Sequence, residues 1–406
     1  MTASEITGMI REMQSRHRLV PEMARGMHVP YHRRGEMSVP AFTMAPGGDP
    51  ATHGRDASLR LMQKVCTLPV DLFFFDCEDA SPDHPEYKSF ARQFATEALT
   101  KFDFGNRITG FRPNNIRTAY FEDDLVEVIT KSGHRLQVII IPKTEHAGEV
   151  EDIITVVRKI QRLAGQTNKL SFEVLIESPN AFLEAERIAA IEGVTALILG
   201  SFDLARTIGG TVDPDTWTHD QSIIRQQLPI IAAAYGKEAV DAITATLPVR
   251  PQKPEGMEEE EYRAALAGDP ALLDLQKVGA GFLTRLRRRA DAIALAGREA
   301  ESARRCGYAA KWILHPDQIE PIQKAWTPAR EAGLAALALV AHYTRAARMG
   351  SGVELSGDRL ADKAVVGTDW WLVKAALRSN VLKSEDISAT GFTLEELERT
   401  VRTREP

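Results

Sequence analysis

The stretch Leu170–Ile208, LSFEVLIESPNAFLEAERIAAIEGVTALILGSFDLARTI, reads as strand, helix, strand. Both strands, FEVLI and ALIL, are unbroken apolar runs, the pattern of parallel strands buried on both faces. Between them Phe182, Ala185, Ile188 and Ala189 fall at helical spacing, so the unit is a βαβ crossover. A carboxylate follows each strand: Glu177 after the first and Asp203 after the second. Neighbouring parallel strands end side by side, which brings these two acids together at one rim of the sheet. Two carboxylates in that position repel unless a proton or a cation lies between them. A hard divalent cation that takes one or two carboxylates and keeps its waters suits the pair, and this predicts magnesium on Glu177 and Asp203. The alternative is that Glu177 is solvated and Asp203 only caps a helix beginning at Leu204.

The same beat extends in both directions. Strands are predicted at 39–45 (VPAFTMA), 71–77 (DLFFFDC), 107–111 (RITGF), 136–141 (LQVIII), 171–176, 196–199, 239–245 and 311–314 (KWIL). Helical periodicity falls between them, at 57–67, 88–99, 122–131, 150–163, 182–191 and 223–234. No GxGxxG follows the first strand, so a dinucleotide-binding doubly wound sheet is disfavoured. Eight alternations with polar residues at the strand ends predict a (β/α)8 TIM barrel over residues 38–349. Three segments fall outside the repeat. Residues 1–37 form an N-terminal extension with a basic cluster, His32-Arg33-Arg34, expected at a subunit contact or on solvated surface. Residues 247–298 form a helical insertion between strands 7 and 8, with helices at 258–266 and 271–298. Its run Arg285–Arg289 is either a solvated helix face or a phosphate-binding surface. Residues 350–406 form a C-terminal lid segment with two short extended pieces, a helix at 369–377 and a final helix opened by the capping box Thr393–Glu396.

Bulk properties exclude several classes. A net charge of -6 argues against a dedicated nucleic-acid binder. Three cysteines at unrelated spacings suggest neither a disulfide framework nor a zinc site. No apolar leader and no long apolar run is present, so a cytoplasmic protein without membrane spans is expected.

The strand ends carry the chemistry. Strand 2 ends in Asp76-Cys77-Glu78-Asp79, with Lys88 and Arg92 on the next helix; strand 3 delivers Arg112, strand 4 Lys143, strand 5 Glu177, strand 6 Asp203 and strand 8 His315. An acidic metal site flanked by cations suits a small, oxygen-rich anion. Arg112 offers a planar fork for a carboxylate. Lys143 is either a second cationic contact or a Schiff-base amine, although the nearby acids would hold it charged.

In order, the segments DCEDASPDHPEYKSFAR, GFRPNN, IPKTE, VLIESPNA, LILGSFDLA and ILHPDQIEPI resemble the HpcH/HpaI aldolase/citrate lyase family, nearest the citrate lyase β-subunit and malyl-CoA lyase branch. The C-terminal GSGVELSGDRLADKAVV resembles the lid of those CoA-ester lyases. The resemblance implies a magnesium-dependent barrel enzyme that makes or breaks a carbon–carbon bond between a 2-oxo acid and an enolate, with an acyl-CoA as the partner substrate. It implies Glu177 and Asp203 as metal ligands, Arg112 at the substrate oxyanion, and Glu78 and Asp79 beside the metal waters. Asp362 matches the lid aspartate that acts across a subunit boundary, so a homo-oligomer, trimeric or hexameric, is expected. Rival expectations are a malate-synthase-like condensing enzyme or thioesterase, a class II aldolase on free acids, and a non-catalytic scaffold.

Overall fold

Alternation within the strands decides where each side chain goes. In the computed structural model, which describes residues 33–212, 221–268, 279–357 and 359–401, eight parallel strands close into a barrel in sequence order. They are β1 (Gly35–Pro40), β2 (Leu72–Asp76), β3 (Ile108–Arg112), β4 (Val138–Ile141), β5 (Ser171–Ile176), β6 (Val194–Leu199), β7 (Glu238–Asp241) and β8 (Ala310–Ile313). β1 pairs with both β2 and β8, which completes the ring. In β2 the run LFFFD is buried throughout but divides by parity. Leu72 and Phe74 join the interior cluster with Ile108, Val138, Ile140, Leu175, Ile198 and Trp312, whereas Phe73 and Phe75 pack into the layer beneath the helices. A period of two therefore sends Asp76, Arg112 and Glu177 toward the barrel axis at its C-terminal rim.

The crossover helices are Arg55–Lys64, Pro85–Lys101, Phe121–Ser132, Ala147–Leu163, the pair Pro179–Leu183 and Ala185–Ala190, then Ser201–Thr207 with Ser222–Ala234, and Ala280–Cys306. Two expected boundaries move. β1 starts at Gly35, before VPAFTMA, because the buried run that pairs with β2 and β8 is GEMSVP. The second helix of the 247–298 insertion does not end at residue 298: Ala280–Cys306 is one helix, and it is itself the crossover from β7 to β8. It stops at Gly307, whose φ of 96° supplies the left-handed turn that closes a helix C-terminus.

Arg33 corrects the reading of the N-terminal basic cluster. It is 1% exposed and lies between three acids, Glu36, Glu173 and Glu238, which come from β1, β5 and β7. The ion pairs to Glu173 and Glu238 measure 3.1 and 2.7 Å. Arg34 turns instead to Asp71, at 2.7 Å. The remainder of that cluster lies outside the described residues. A second buried network ties the crossover helix to the sheet: Lys311 on β8 meets Asp241 at 3.0 Å and Glu299 at 3.2 Å, and Arg225 meets Asp241 at 3.1 Å.

By its contacts the chain divides into two units, one of Tyr31–Ala232 with Glu238–Trp326, and one that includes Ala233–Lys237 and Thr327–Pro406. The helix Arg330–Arg348 thus groups with the second unit and not with the barrel. There it shares a core with the helices Lys363–Arg378 and Leu394–Val401, through Leu337, Val340, Val366, Trp370, Val373 and Leu397. The same unit holds the antiparallel hairpin β9 (Val353–Ser356) and β10 (Arg359–Asp362). The capping box forms as expected, with Thr393 and Glu396 each accepting from the other's backbone N–H. Among the described residues no helix is long and apolar enough to cross a membrane.

Removing the charge of Arg33 takes away the buried cation that Glu36, Glu173 and Glu238 face. Arg33→Met is expected to cost about 3–5 kcal/mol of unfolding free energy, the usual penalty for breaking a buried pair from one side. Urea denaturation followed by circular dichroism measures it, and a loss below about 1 kcal/mol would show the cluster to be dispensable.

Candidate active site

Strand pairing sets the rim. Asp76 on β2 stands opposite Arg112 on β3, and Ile176 opposite Leu199, so Glu177 follows directly beside Gly200. Asp76 is fully buried and accepts from Arg112 Nε at 2.8 Å and Nη2 at 2.5 Å, and from Ser38 Oγ at 2.9 Å. The fork of Arg112 is therefore already engaged on one edge. Its Nη1 lies 3.4 Å from Glu78, and its guanidinium sits 5.2 Å over the Trp312 ring. Burial works against the Arg112 charge, but Asp76 outweighs it and holds the pKa above the ordinary value. Burial also pushes the Glu78 carboxyl up to about 8, against the pull of Arg112.

The second half of the site gathers around Lys143. Its Nζ lies 3.0 Å from Asp203 Oδ2, 3.0 Å from Asp79 Oδ2 and 3.8 Å from Glu177 Oε2. Its backbone N–H donates to Glu177 Oε1 at 2.6 Å. Lys143 has a φ of 50°, in the left-handed region that a long side chain rarely enters. Such strain persists where the surroundings over-determine it, commonly at functional positions. Burial opposes the ammonium, yet Glu177, Glu78 and Asp79 together hold its pKa above the ordinary lysine value. A Schiff-base role needs the free amine, so this environment disfavours it.

Neither part of the simpler alternative for the acidic pair holds. Glu177 is 4% exposed, not solvated, and burial raises its carboxyl to about 6 against the pull of Lys143. Asp203 is not a cap: the helix Ser201–Thr207 has Gly200 at its N-cap, and Asp203 divides its oxygens between Lys143 and Arg206, the latter at 2.6 Å. The two carboxylates converge on one point that already carries a positive charge. Their donor set, one hard oxygen just past β5 and one from the helix after β6, fits a divalent cation of the kind that leaves most of its shell to other ligands. Among the described residues no group of three or more His, Cys, Asp or Glu side chains is arranged to enclose a metal, so such an ion would complete its shell with water and substrate oxygens.

These groups open into a cavity of about 260 Å3, lined among others by Ser38, Asp79, Arg112, Glu177 and Asp203 with Leu175, Ile243 and Leu314. That is below the ~300–1,000 Å3 of pockets for drug-sized ligands, and it suits a small acid. Three contributors were not singled out from the sequence. Ser201 Oγ and Trp312 Nε1 line the cavity, are buried, and have no hydrogen-bond partner among the described residues. Buried polar atoms are normally paired, so each is a ready substrate contact. Gly200 is the third, since a Cβ there would overlap the side chain of Glu177. The GS that closes ALILGS was the available signal.

Other expected residues do different work. Lys88 donates to the carbonyls of Cys77 and Glu78 at 2.8 and 2.6 Å and so fixes the acidic loop from behind. Arg92 pairs with Asp123, Asp124 and Glu127 on the next helix. His315 caps the turn Pro316–Gln318 by accepting from the Asp317 N–H and does not line the cavity. Asp362 belongs to the second unit, at the end of β10, where it accepts from the Val365 N–H at 2.8 Å and caps the following helix.

Comparison with known proteins follows this geometry. The HpcH/HpaI aldolase/citrate lyase family model matches residues 55–253. An L-malyl-CoA/beta-methylmalyl-CoA lyase of Cereibacter sphaeroides is 27% identical over 332 residues, 79% of this chain and 89% of that protein. A (3S)-malyl-CoA thioesterase of the same species is 24% identical over 333 residues, 82% of this chain and 93% of that protein. Among solved structures, a citrate lyase from Burkholderia xenovorans superposes with a TM-score of 0.65 at 19% identity, over 89% of this chain and 96% of that one. The CitE protein of Mycobacterium tuberculosis, in complex with magnesium, acetoacetate and coenzyme A, superposes with a TM-score of 0.53 at 19% identity, over 86% of this chain and 98% of that one. At such identities the structural likeness is one of fold.

Two outcomes test the site as built. Gly200→Ala is expected to leave the fold intact by circular dichroism while lowering activity at least ~10-fold, because about 1 Å of displacement at a reacting centre is that costly. Borohydride reduction in the presence of a 2-oxo acid is expected to leave Lys143 unmodified by peptide mass spectrometry; a reduced adduct there would establish an amine nucleophile.

Proposed function

We propose that this chain is a magnesium-dependent CoA-ester lyase of the HpcH/HpaI aldolase/citrate lyase family, whose model matches residues 55–253. In this reading it cleaves or forms the carbon–carbon bond between a 2-oxo acid and the enolate of an acyl-CoA, with malyl-CoA or citramalyl-CoA type esters as substrates. The observation that carries the reading is the convergence of Glu177 and Asp203 on a single cation position, 3.8 and 3.0 Å from the Lys143 ammonium, beside Arg112 in a small cavity. The malyl-CoA lyase relative, alike over 89% of its own length, supports the substrate class.

Glu177 and Asp203 are assigned to hold the ion, with Glu78 and Asp79 hydrogen-bonding its waters. When bound, magnesium supplies Lewis acidity to the oxygen that gains charge as the bond breaks. The chain's own residues do the rest. Arg112, tied on one edge to Asp76, is assigned to the developing oxyanion through Nη1, which faces Glu78 at 3.4 Å, and because Asp76 fixes the guanidinium plane that donor is held in place. Lys143 contributes a fixed positive charge to the substrate carboxylate. Ser201 Oγ and Trp312 Nε1 supply donors to the remaining oxygens. Leu175, Ile243 and Leu314 exclude water from the enolate. Asp362 is assigned the proton transfer at the enolate carbon, delivered within a homo-oligomer, trimeric or hexameric.

A second reading has a specific support. The malyl-CoA thioesterase relative is alike over 93% of its length, and thioester hydrolysis would use the same acidic pair. Products separate the two. Incubation with malyl-CoA and magnesium, read by mass spectrometry, is expected to give glyoxylate and acetyl-CoA. Free malate with coenzyme A would favour the hydrolase, and no turnover of any CoA ester would end the proposal.

Glu177→Ala is expected to abolish magnesium-dependent turnover, and undiminished activity in EDTA would remove the metal assignment. Asp362→Asn is expected to keep substrate binding and lower kcat at least ~100-fold, the scale of a lost general acid or base.

A further inference from the structure

Along the ends of β7 and β8 the barrel unit has a second cavity. The mouth cavity uses Ala242, Ile243 and Leu314 from the chain just beyond these strands. Continuing outward, Thr246, Leu247, Val249, Arg250 and Pro251 face the helix Ala280–Cys306 across a cleft of about 790 Å3. Five arginines line it, Arg250, Arg285, Arg288, Arg289 and Arg298, against one carboxylate, Asp291. Two of the five are anchored from below: Arg250 and Arg289 both bind Asp317, at 2.8 and 2.9 Å. Arg289 also donates to the Leu266 carbonyl at 2.8 Å, yet its Nε is buried without a hydrogen-bond partner among the described residues. Arg285, Arg288 and Arg298 form no ion pair among the described residues.

Physics makes this arrangement costly when empty. Arg285 and Arg288 stand one helical turn apart, and like charges at that spacing repel. Asp317 compensates only the two arginines it holds. The walls are not polar throughout: Ala292 and Leu295 form an apolar floor, and Leu247 and Val249 stand 41% and 68% exposed at the edge. Planar guanidinium forks recognise phosphate oxygens in pairs, and exposed aliphatic carbons beside them suit a flat apolar group on the same ligand.

We propose that this cleft binds a phosphorylated nucleotide, with Arg285, Arg288 and Arg298 on its phosphates and Leu247 and Val249 against its base. Two sources share that chemistry. One is the nucleotide end of the CoA substrate, in which case the assignment rests on the function proposed above. The other is a free nucleotide acting as an effector next to the mouth.

Calorimetric titration of the full-length protein with ADP and, separately, with inorganic pyrophosphate tests the cleft without any turnover. Both are expected to bind. Exchanging both residues, R285A/R288A, is expected to weaken each at least ~10-fold, the scale of one charge-assisted hydrogen bond. Arg305→Ala, on the same helix beyond the cleft, is expected to leave binding unchanged. In R285A/R288A, a KM for the CoA ester raised at least ~10-fold at constant kcat identifies the substrate's own phosphates, since uniform binding is what was removed. An unchanged KM with lost ADP binding identifies a free nucleotide. Wild-type protein that binds neither probe, or a double variant that binds both as tightly, overturns the cleft. Failure to turn over any CoA ester would count against the lyase reading and leave the titrations to decide the cleft by themselves.

Discussion

One ammonium group facing three carboxylates organises the mouth of this barrel. Lys143 reaches Asp79 from the loop after β2, Glu177 from the end of β5 and Asp203 from the start of the helix after β6. Its own backbone is strained to put it there. A positive charge at that point offsets the repulsion among neighbouring carboxylates, of which Glu177 is buried. The electrostatics therefore precede any ligand: the acids gather around the Lys143 ammonium. Arg112 and Asp76 repeat the logic on the other wall, where a bidentate pair fixes the guanidinium and leaves Nη1 facing Glu78.

Much of this could be read from the chain because the barrel translates sequence into position by a simple rule. Parity in LFFFD and ITGFR sends Asp76 and Arg112 inward, and the strand order puts Glu177 beside the strand that leads to Asp203. What escaped were facts that depend on partners distant in sequence. The basic cluster at the N-terminus looks like surface by composition, yet Arg33 is buried because three acids from separate strands converge on it. His315 looks like a strand-end ligand, but the following Pro316 turns it into a cap. The helix Arg330–Arg348 continues the βα rhythm in sequence and still packs elsewhere, since its apolar face matches Trp370 and Val366. Rhythm gives the element; only packing gives its partner.

The insertion after β7 shows the same division. Its charge run was legible, and its two helices were, but not that the longer one doubles as the crossover to β8. That double duty explains why the helix carries both Glu299, buried against Lys311, and Arg285, facing a cleft. One half is constrained by the core, the other lines the cleft.

The floor of the barrel has a consequence for how the chain is made. Arg33 and Glu238 are 205 residues apart, and β1 also needs β8 to close the ring. On a ribosome, the amino-terminal arginine therefore waits in an unfinished half-cylinder, with two of its acids already synthesised and the third still to come. Until the eighth strand emerges, that partial cylinder exposes an open edge, a surface prone to pairing with other chains. Shielding of that edge during translation therefore bears on how much of the chain reaches the closed ring.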